Sequence, residues 1–135
     1  MTAVVLASGS PRRHELLTQI GVPFSVRVPD IDERPTGGES PTQYVRRLAF
    51  AKAAVVATAD ELVIAADTTV DLGGEILGKP LDAPDAATML RRLSARTHKV
   101  HTGVAVRLGD VEVAEVCTTL VTFVELDDRG VRRYG

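Results

Sequence analysis

Tryptophan is absent from this 135-residue chain, aromatic residues make up 4% of it, and cysteine occurs once. A single cysteine excludes an internal disulfide and fits a reducing compartment, so the expected location is the cytoplasm. Cys117 sits in an apolar stretch and reads as a small buried hydrophobe rather than a nucleophile. No apolar run is long enough to cross a bilayer and no signal peptide is evident, so no membrane association is expected. Charge of one sign is lacking too: 16 Lys and Arg stand against 18 Asp and Glu, a formal net charge of −2. With no global field to draw it to nucleic acid, the chain must hold any polyanion by a local cluster. The sequence has neither a Walker-type loop nor a Gly-x-Gly-x-x-Gly turn, and it offers no Ser-His-Asp arrangement. What is present is the length and hydrophobic content of one globular domain, residues 1–135, with a real core.

Helical and strand signals alternate in the first part of the chain. Val4–Ala7 reads as a buried strand, and helical spacing from about Pro11 to Ile20 puts Leu16, Leu17 and Ile20 on one face. A strand follows through Phe24, Val26 and Val28, then an acidic knot, Asp30-Ile31-Asp32-Glu33. Ser40-Pro41 opens a long helix to about Thr58 that carries Lys52. Leu62–Ala66 reads as a strand covered on both faces, with Asp67-Thr68-Thr69 at its carboxyl end. A hairpin is expected around Gly73-Gly74, a third helix over about Pro84–Ser94, and strands from Val100 to Leu108 and from Val111 to Leu126. Asp127-Asp128 looks like the start of another helix. The order predicts an α/β fold, a mixed and partly antiparallel twisted sheet flanked by helices.

The densest functional signal is Ser8-Gly9-Ser10-Pro11-Arg12-Arg13. Ser10 is a natural N-cap and Pro11 suits the first helical position. Free amides, the positive end of the helix dipole, two guanidinium groups and the Ser8 and Ser10 hydroxyls would then converge, which suits a phosphate. Three further Arg-Arg pairs, at 46–47, 91–92 and 132–133, read as solvated helical or tail positions. Asp67 follows five apolar residues at a strand's carboxyl end, where open α/β sheets place ligands and where poor solvation favours a general base or metal ligand. A carboxylate of the acidic knot, together with Asp67 and substrate phosphates, would suffice for Mg²⁺; a solvated acidic turn is the plainer alternative. Lys52 and Lys79, the latter between Gly78 and Pro80, could counter phosphate charge or be ordinary surface lysines. His98 and His101 fall on opposite faces of a strand, which argues against a metal pair. His14 reads as an exposed helix residue.

Taken in order, Leu6–Arg13, Asp32-Glu33, Leu48–Ala53, Ala66–Val70, Gly78-Lys79-Pro80 and Ser94–Gly103 resemble the Maf family of nucleoside triphosphate pyrophosphatases. The resemblance implies a sheet of the kind shared with inosine triphosphate pyrophosphatases. It also implies hydrolysis of a nucleoside triphosphate to the monophosphate and pyrophosphate with Mg²⁺ or Mn²⁺. Carried over by motif, Asp67 matches the proton acceptor and a metal group. Arg13, Glu33, Lys52 and Lys79 match phosphate- and metal-site groups, and Arg12 and Thr68 match positions tied to base selection. The Ser-Pro-Arg-Arg and Ala-Asp-Thr forms are similar to the branch acting on dTTP and UTP. The family pattern continues beyond this sequence, with a segment that carries a specificity glutamine, so the chain reads as lacking the family's C-terminal third. A sheet left partly uncovered would invite pairing with a second copy. The alternatives are a nucleotide-binding or cell-division regulatory protein that does not hydrolyse, and a broader house-cleaning pyrophosphatase.

Overall fold

The computed structural model describes residues 3–58, 60–78 and 82–125. Its elements run β1 (Ala3–Ala7), α1 (Pro11–Ile20), β2 (Ser25–Val26), α2 (Pro41–Val56), β3 (Glu61–Leu72), β4 (Glu75–Leu77), α3 (Ala83–Leu93), β5 (Thr97–Leu108) and β6 (Val111–Thr122). The strands form one sheet in the order β2-β1-β3-β5-β6, with β4 folded back on β3. Pairings of β1 with β2 and with β3 are parallel, and the remainder are antiparallel. The expected mixed α/β sheet is therefore what the chain forms. The 127–128 helix start, Lys79 and Arg132-Arg133 lie outside the described residues.

Helix α2 organises the core. It lies across one face of the sheet, against β3, β5 and β6. Ala49 and Ala53 are fully buried there against Val5, Ala7, Val63, Ala65 and Ala105, while the fully buried Val45 and Leu48 form a second cluster with Tyr44. The approach is close because the sheet is small-residued beneath it. At Gly103 an added Cβ would lie 2.6 Å from the Val45 carbonyl oxygen and 2.8 Å from its carbon, inside van der Waals contact. The start of α2 carries a complete capping box: Ser40 Oγ accepts from the Gln43 amide while the Gln43 side chain accepts from the Ser40 amide. Such a cap stabilises by about 1 kcal/mol.

Two of these expectations need correction, the extent of the Leu62–Ala66 strand and the burial of Cys117. The strand read over Leu62–Ala66 continues to Leu72, so Asp67 stands in mid-strand. It nevertheless borders an opening, because β1 stops at Ala7 opposite Ala65 while β5 continues to pair with β3 on the other side. Helix α1 buries none of its residues, and Leu16 and Ile20 are 52% and 70% exposed. Cys117 is exposed. It alternates with Val116, which packs on α2, and so faces the other side of the sheet, where Val104, Leu108, Val111 and Val113 are also exposed. The turn at Gly73-Gly74 is as expected. Both glycines have positive φ, 61° and 93°, which a two-residue hairpin with the twist of its strands demands.

Candidate active site

A cleft of about 490 Å³ opens where β1 ends and β3 runs on. Its lining includes Ser8, Ser10, Arg13, Glu33, Lys52, Asp67 and Thr68. These residues come from four separate segments, and each arrives for a local reason. Ser8 leaves the end of β1 with its side chain buried, and its Oγ accepts from the Ser10 amide at 3.0 Å. Ser10 is the N-cap of α1 in extended conformation, yet its side chain makes no cap hydrogen bond. With Pro11 at N1, the first intrahelical bond is His14 N to Ser10 O. The amides of Arg12 and Arg13 and the Ser10 hydroxyl thus remain available at the positive end of the helix.

Arg13 reaches across the opening. Its Nη2 donates to Thr68 Oγ1 at 3.1 Å, and its Nη1 lies 3.5 Å from Ser8 Oγ. Thr68 Oγ1 also shares a hydrogen bond with Thr102 Oγ1 at 3.0 Å. Arg12 is exposed on the first turn of α1 and is not part of the lining.

Asp67 is the most buried carboxylate of the cleft, 6% exposed. Its neighbour across the sheet is Gly103, whose missing side chain lets α2 approach. Lys52, on α2, donates to Asp67 Oδ1 at 2.7 Å, and the same Nζ lies 3.1 Å from Glu33 Oε1. One ammonium therefore holds two carboxylates that belong to different elements. Burial pushes the Asp67 carboxyl above its ordinary value; the hydrogen bond and charge of Lys52 oppose this without cancelling it. A carboxylate that binds a proton more tightly than usual, at the rim of a cleft, is suited to accept one from a reacting water.

The acidic knot divides its work. Glu33 joins the cleft, whereas Asp32 turns away into a pair with Arg34 that holds its carboxyl down at about 2. Other polar residues have roles that local sequence signals do not reveal. His14 is half-buried rather than exposed, and its Nε2 bonds the Ser8 carbonyl at 2.8 Å, bracing the loop before α1. Arg47, expected to be a solvated helical charge, pairs with Glu39 and donates to the Arg34 carbonyl. His101 lies buried against Asp71, with Nε2 2.7 Å from Oδ2. A signal for this last pair was available only in the β3–β5 register, which sets His101 opposite Thr69, two residues from Asp71.

No group of three or more His, Cys, Asp or Glu that could hold a metal by itself occurs among the described residues. Nor is any helix among them long and apolar enough to cross a membrane.

In overall fold the chain is similar to a HAM1 protein from Coxiella burnetii, with a TM-score of 0.58 over 89% of this chain and 72% of that one. At 17% identity, the likeness is one of fold. A dTTP/UTP pyrophosphatase of Myxococcus xanthus is 56% identical over 124 residues, covering 90% of this chain and 63% of its own length. Its counterpart in Symbiobacterium thermophilum is 46% identical over 99% of this chain and 70% of its own length. That of Anaeromyxobacter dehalogenans is 52% identical over 97% of this chain and 69% of its own. The chain thus spans 63% to 70% of the length of these relatives. The Maf-like protein family itself matches residues 3–135. With relatives this similar over nearly its whole length, and with the family match running through every segment that builds the cleft, the chain belongs to the Maf family.

Proposed function

We propose that this chain hydrolyses dTTP and UTP to the monophosphate and pyrophosphate, with Asp67 as the proton acceptor. The observation that carries the proposal is the Glu33–Lys52–Asp67 cluster facing the uncapped start of α1 across one cleft. The similar dTTP/UTP pyrophosphatases support the choice of substrate.

The donor set fits Mg²⁺ or Mn²⁺. Both Glu33 and Asp67 offer hard carboxylate oxygens, and they are close enough to share one ammonium. Such ions are commonly held by one or two carboxylates with substrate phosphates completing the shell. When bound there, the ion would neutralise phosphate charge and polarise the phosphoryl oxygens.

The protein's own groups divide the remaining work. Arg13, the amides at the start of α1, and the Ser8 and Ser10 hydroxyls bind the phosphate chain. Lys52 adds charge beside the reacting centre and holds Asp67 in place. Lys79, outside the described residues, is assigned to the phosphates by the motif alone. Asp67 takes a proton from a water that attacks the α-phosphorus, and pyrophosphate departs. Thr68 and Arg12 are left to meet the base.

Pyrophosphate release across a panel of nucleoside triphosphates, read as phosphate after coupling to inorganic pyrophosphatase, tests the proposal. Turnover of dTTP and UTP above the others, lost in Asp67→Asn with nucleotide binding retained, is the expected result. Clean binding without turnover of any triphosphate would overturn it in favour of a regulatory nucleotide-binding protein. Turnover of modified nucleotides above both would point to the house-cleaning reading.

A further inference from the structure

Glu33 lies on an irregular stretch between β2 and α2, yet a carboxylate that helps to hold a cation must be fixed in space. Free motion of its backbone would have to be frozen on each binding event, at an entropic cost. The stretch is not free, because α2 fastens it at consecutive points. Ile31 packs on the cluster of Tyr44, Val45 and Leu48. The Tyr44 hydroxyl donates to the backbone carbonyl of Glu33 at 2.5 Å. Arg47 Nη2 donates to the Arg34 carbonyl at 3.1 Å, while its Nε and the same Nη2 hold the Glu39 carboxylate.

Tyr44, Leu48 and Lys52 recur every four residues, so they share one face of the helix. That face holds Glu33 twice, its backbone through Tyr44 and its side chain through Lys52. Tyr44 is itself buried, 7% exposed.

We infer that Tyr44 is a positioning residue for the cation-binding carboxylate, acting through the Glu33 backbone rather than by touching substrate or metal. The inference rests on the proposed role of Glu33. Residues one step behind metal ligands commonly change metal affinity or activity by about 10- to 100-fold when altered. Tyr44→Phe keeps the buried ring and removes only the hydroxyl.

The test uses wild-type protein, Tyr44→Phe, Glu33→Gln and the double variant. Two quantities are read: the Mg²⁺ concentration for half-maximal dTTP hydrolysis, and Mn²⁺ binding by electron paramagnetic resonance with a non-hydrolysable α,β-methylene analogue of dTTP. In Tyr44→Phe both are expected to weaken by about tenfold, with kcat at saturating Mg²⁺ near that of wild type. Adding Tyr44→Phe to Glu33→Gln is expected to change neither further. Equal losses from Tyr44→Phe in both backgrounds would overturn the inference, since the effect would then not pass through Glu33. Unchanged Mn²⁺ binding in Tyr44→Phe alone would also overturn it while leaving the role of Glu33 intact. Unchanged Mn²⁺ binding in Glu33→Gln would instead overturn the metal role of Glu33, and the inference with it. Should Tyr44→Phe fail to fold, Arg47→Met removes the adjacent hold on Arg34, and a smaller shift in the same direction is required.

Discussion

Asp67 and Asp71 share one face of β3, four residues apart, and each is shielded from water, 6% and 8% exposed. Each also meets one basic side chain at 2.7 Å, Lys52 for Asp67 and His101 for Asp71. Their acidities nevertheless move in opposite directions. Burial raises Asp67 and its partners do not compensate. Burial also pushes Asp71 up, but the His101 hydrogen bond and the Gly74 amide outweigh it and leave the carboxyl lowered. The Gly74 amide closes the β3–β4 turn onto Asp71 Oδ1 at 2.7 Å, and His101 takes Oδ2. The other ring nitrogen of His101, Nδ1, lies 2.7 Å from the Thr118 hydroxyl, so both ring nitrogens have partners. Asp71 is thus a satisfied structural anion, whereas Asp67 faces a cleft and binds a proton more readily than usual.

The sharpest way to break this contrast is to neutralise each carboxylate in turn. Asp67→Asn should lower pyrophosphate release by about 10²- to 10⁴-fold, the usual contribution of a positioned general base. Asp71→Asn should leave the rate within a small factor of wild type. Comparable rate losses in the two variants would erase the distinction.

Removing the partner comes next. Lys52→Met takes away the main group that holds the Asp67 carboxyl down and leaves burial opposed only by the charge of Arg13. The acid limb of the pH–rate profile should therefore move to higher pH, and the rate near pH 7 should fall. An acid limb that stays in place would show that Lys52 does not tune Asp67.

Stability should separate the pair as well. A carboxyl lowered on folding stabilises the native state above its unfolded value, and this contribution is lost as pH falls through the lower folded value. For Asp71 the loss therefore comes below the ordinary aspartate value of about 4. Asp67 has the opposite sign, its raised carboxyl favouring the fold as pH falls toward that range. Asp71→Asn should cost about 1–3 kcal/mol at neutral pH by thermal or urea unfolding, and it should lose less stability than wild type on acidification. Parallel pH curves for the two proteins would contradict this account. The smallest effect belongs to Thr118→Val, about 1 kcal/mol of stability for one hydrogen bond with the rate unchanged.

Features encoded within a few residues could be read before the structure. The Ser-Pro starts of α1 and α2, the Gly73-Gly74 hairpin and the amphipathic α3 match their expected places. Features that depend on pairing over long distances could not. Asp67 was expected to end a strand, since nothing within a few residues of it announces that β5 will pair beside it as far as Asp71 and beyond the end of β1. The Asp71–His101 bond joins residues 30 apart. Cys117 was expected inside because it lies in an apolar stretch, but local hydropathy does not tell which sheet face a helix will cover. The two Ser-Pro signals are alike in sequence, and only the folded chain separates them. Ser40 is engaged in its capping box, while the side chain of Ser10 makes no cap bond and stands at the cleft. Glu33 was legible through the family motif rather than through any periodicity, because its segment has none.

Gly103 has a consequence for anyone who would move this site to another scaffold. The charged groups could be copied onto a new sheet and helix, but their separation is set by how closely two backbones approach. A methyl group at 103 would meet the Val45 carbonyl at 2.6 Å, and backbone cannot rotate aside as a side chain can. The helix would have to lift, taking Tyr44 and Lys52 with it and lengthening the 2.7 Å reach to Asp67. A transplanted site therefore needs a residue that touches no substrate and carries no functional group, since the smallest side chain in the sheet sets the spacing of the charges above it.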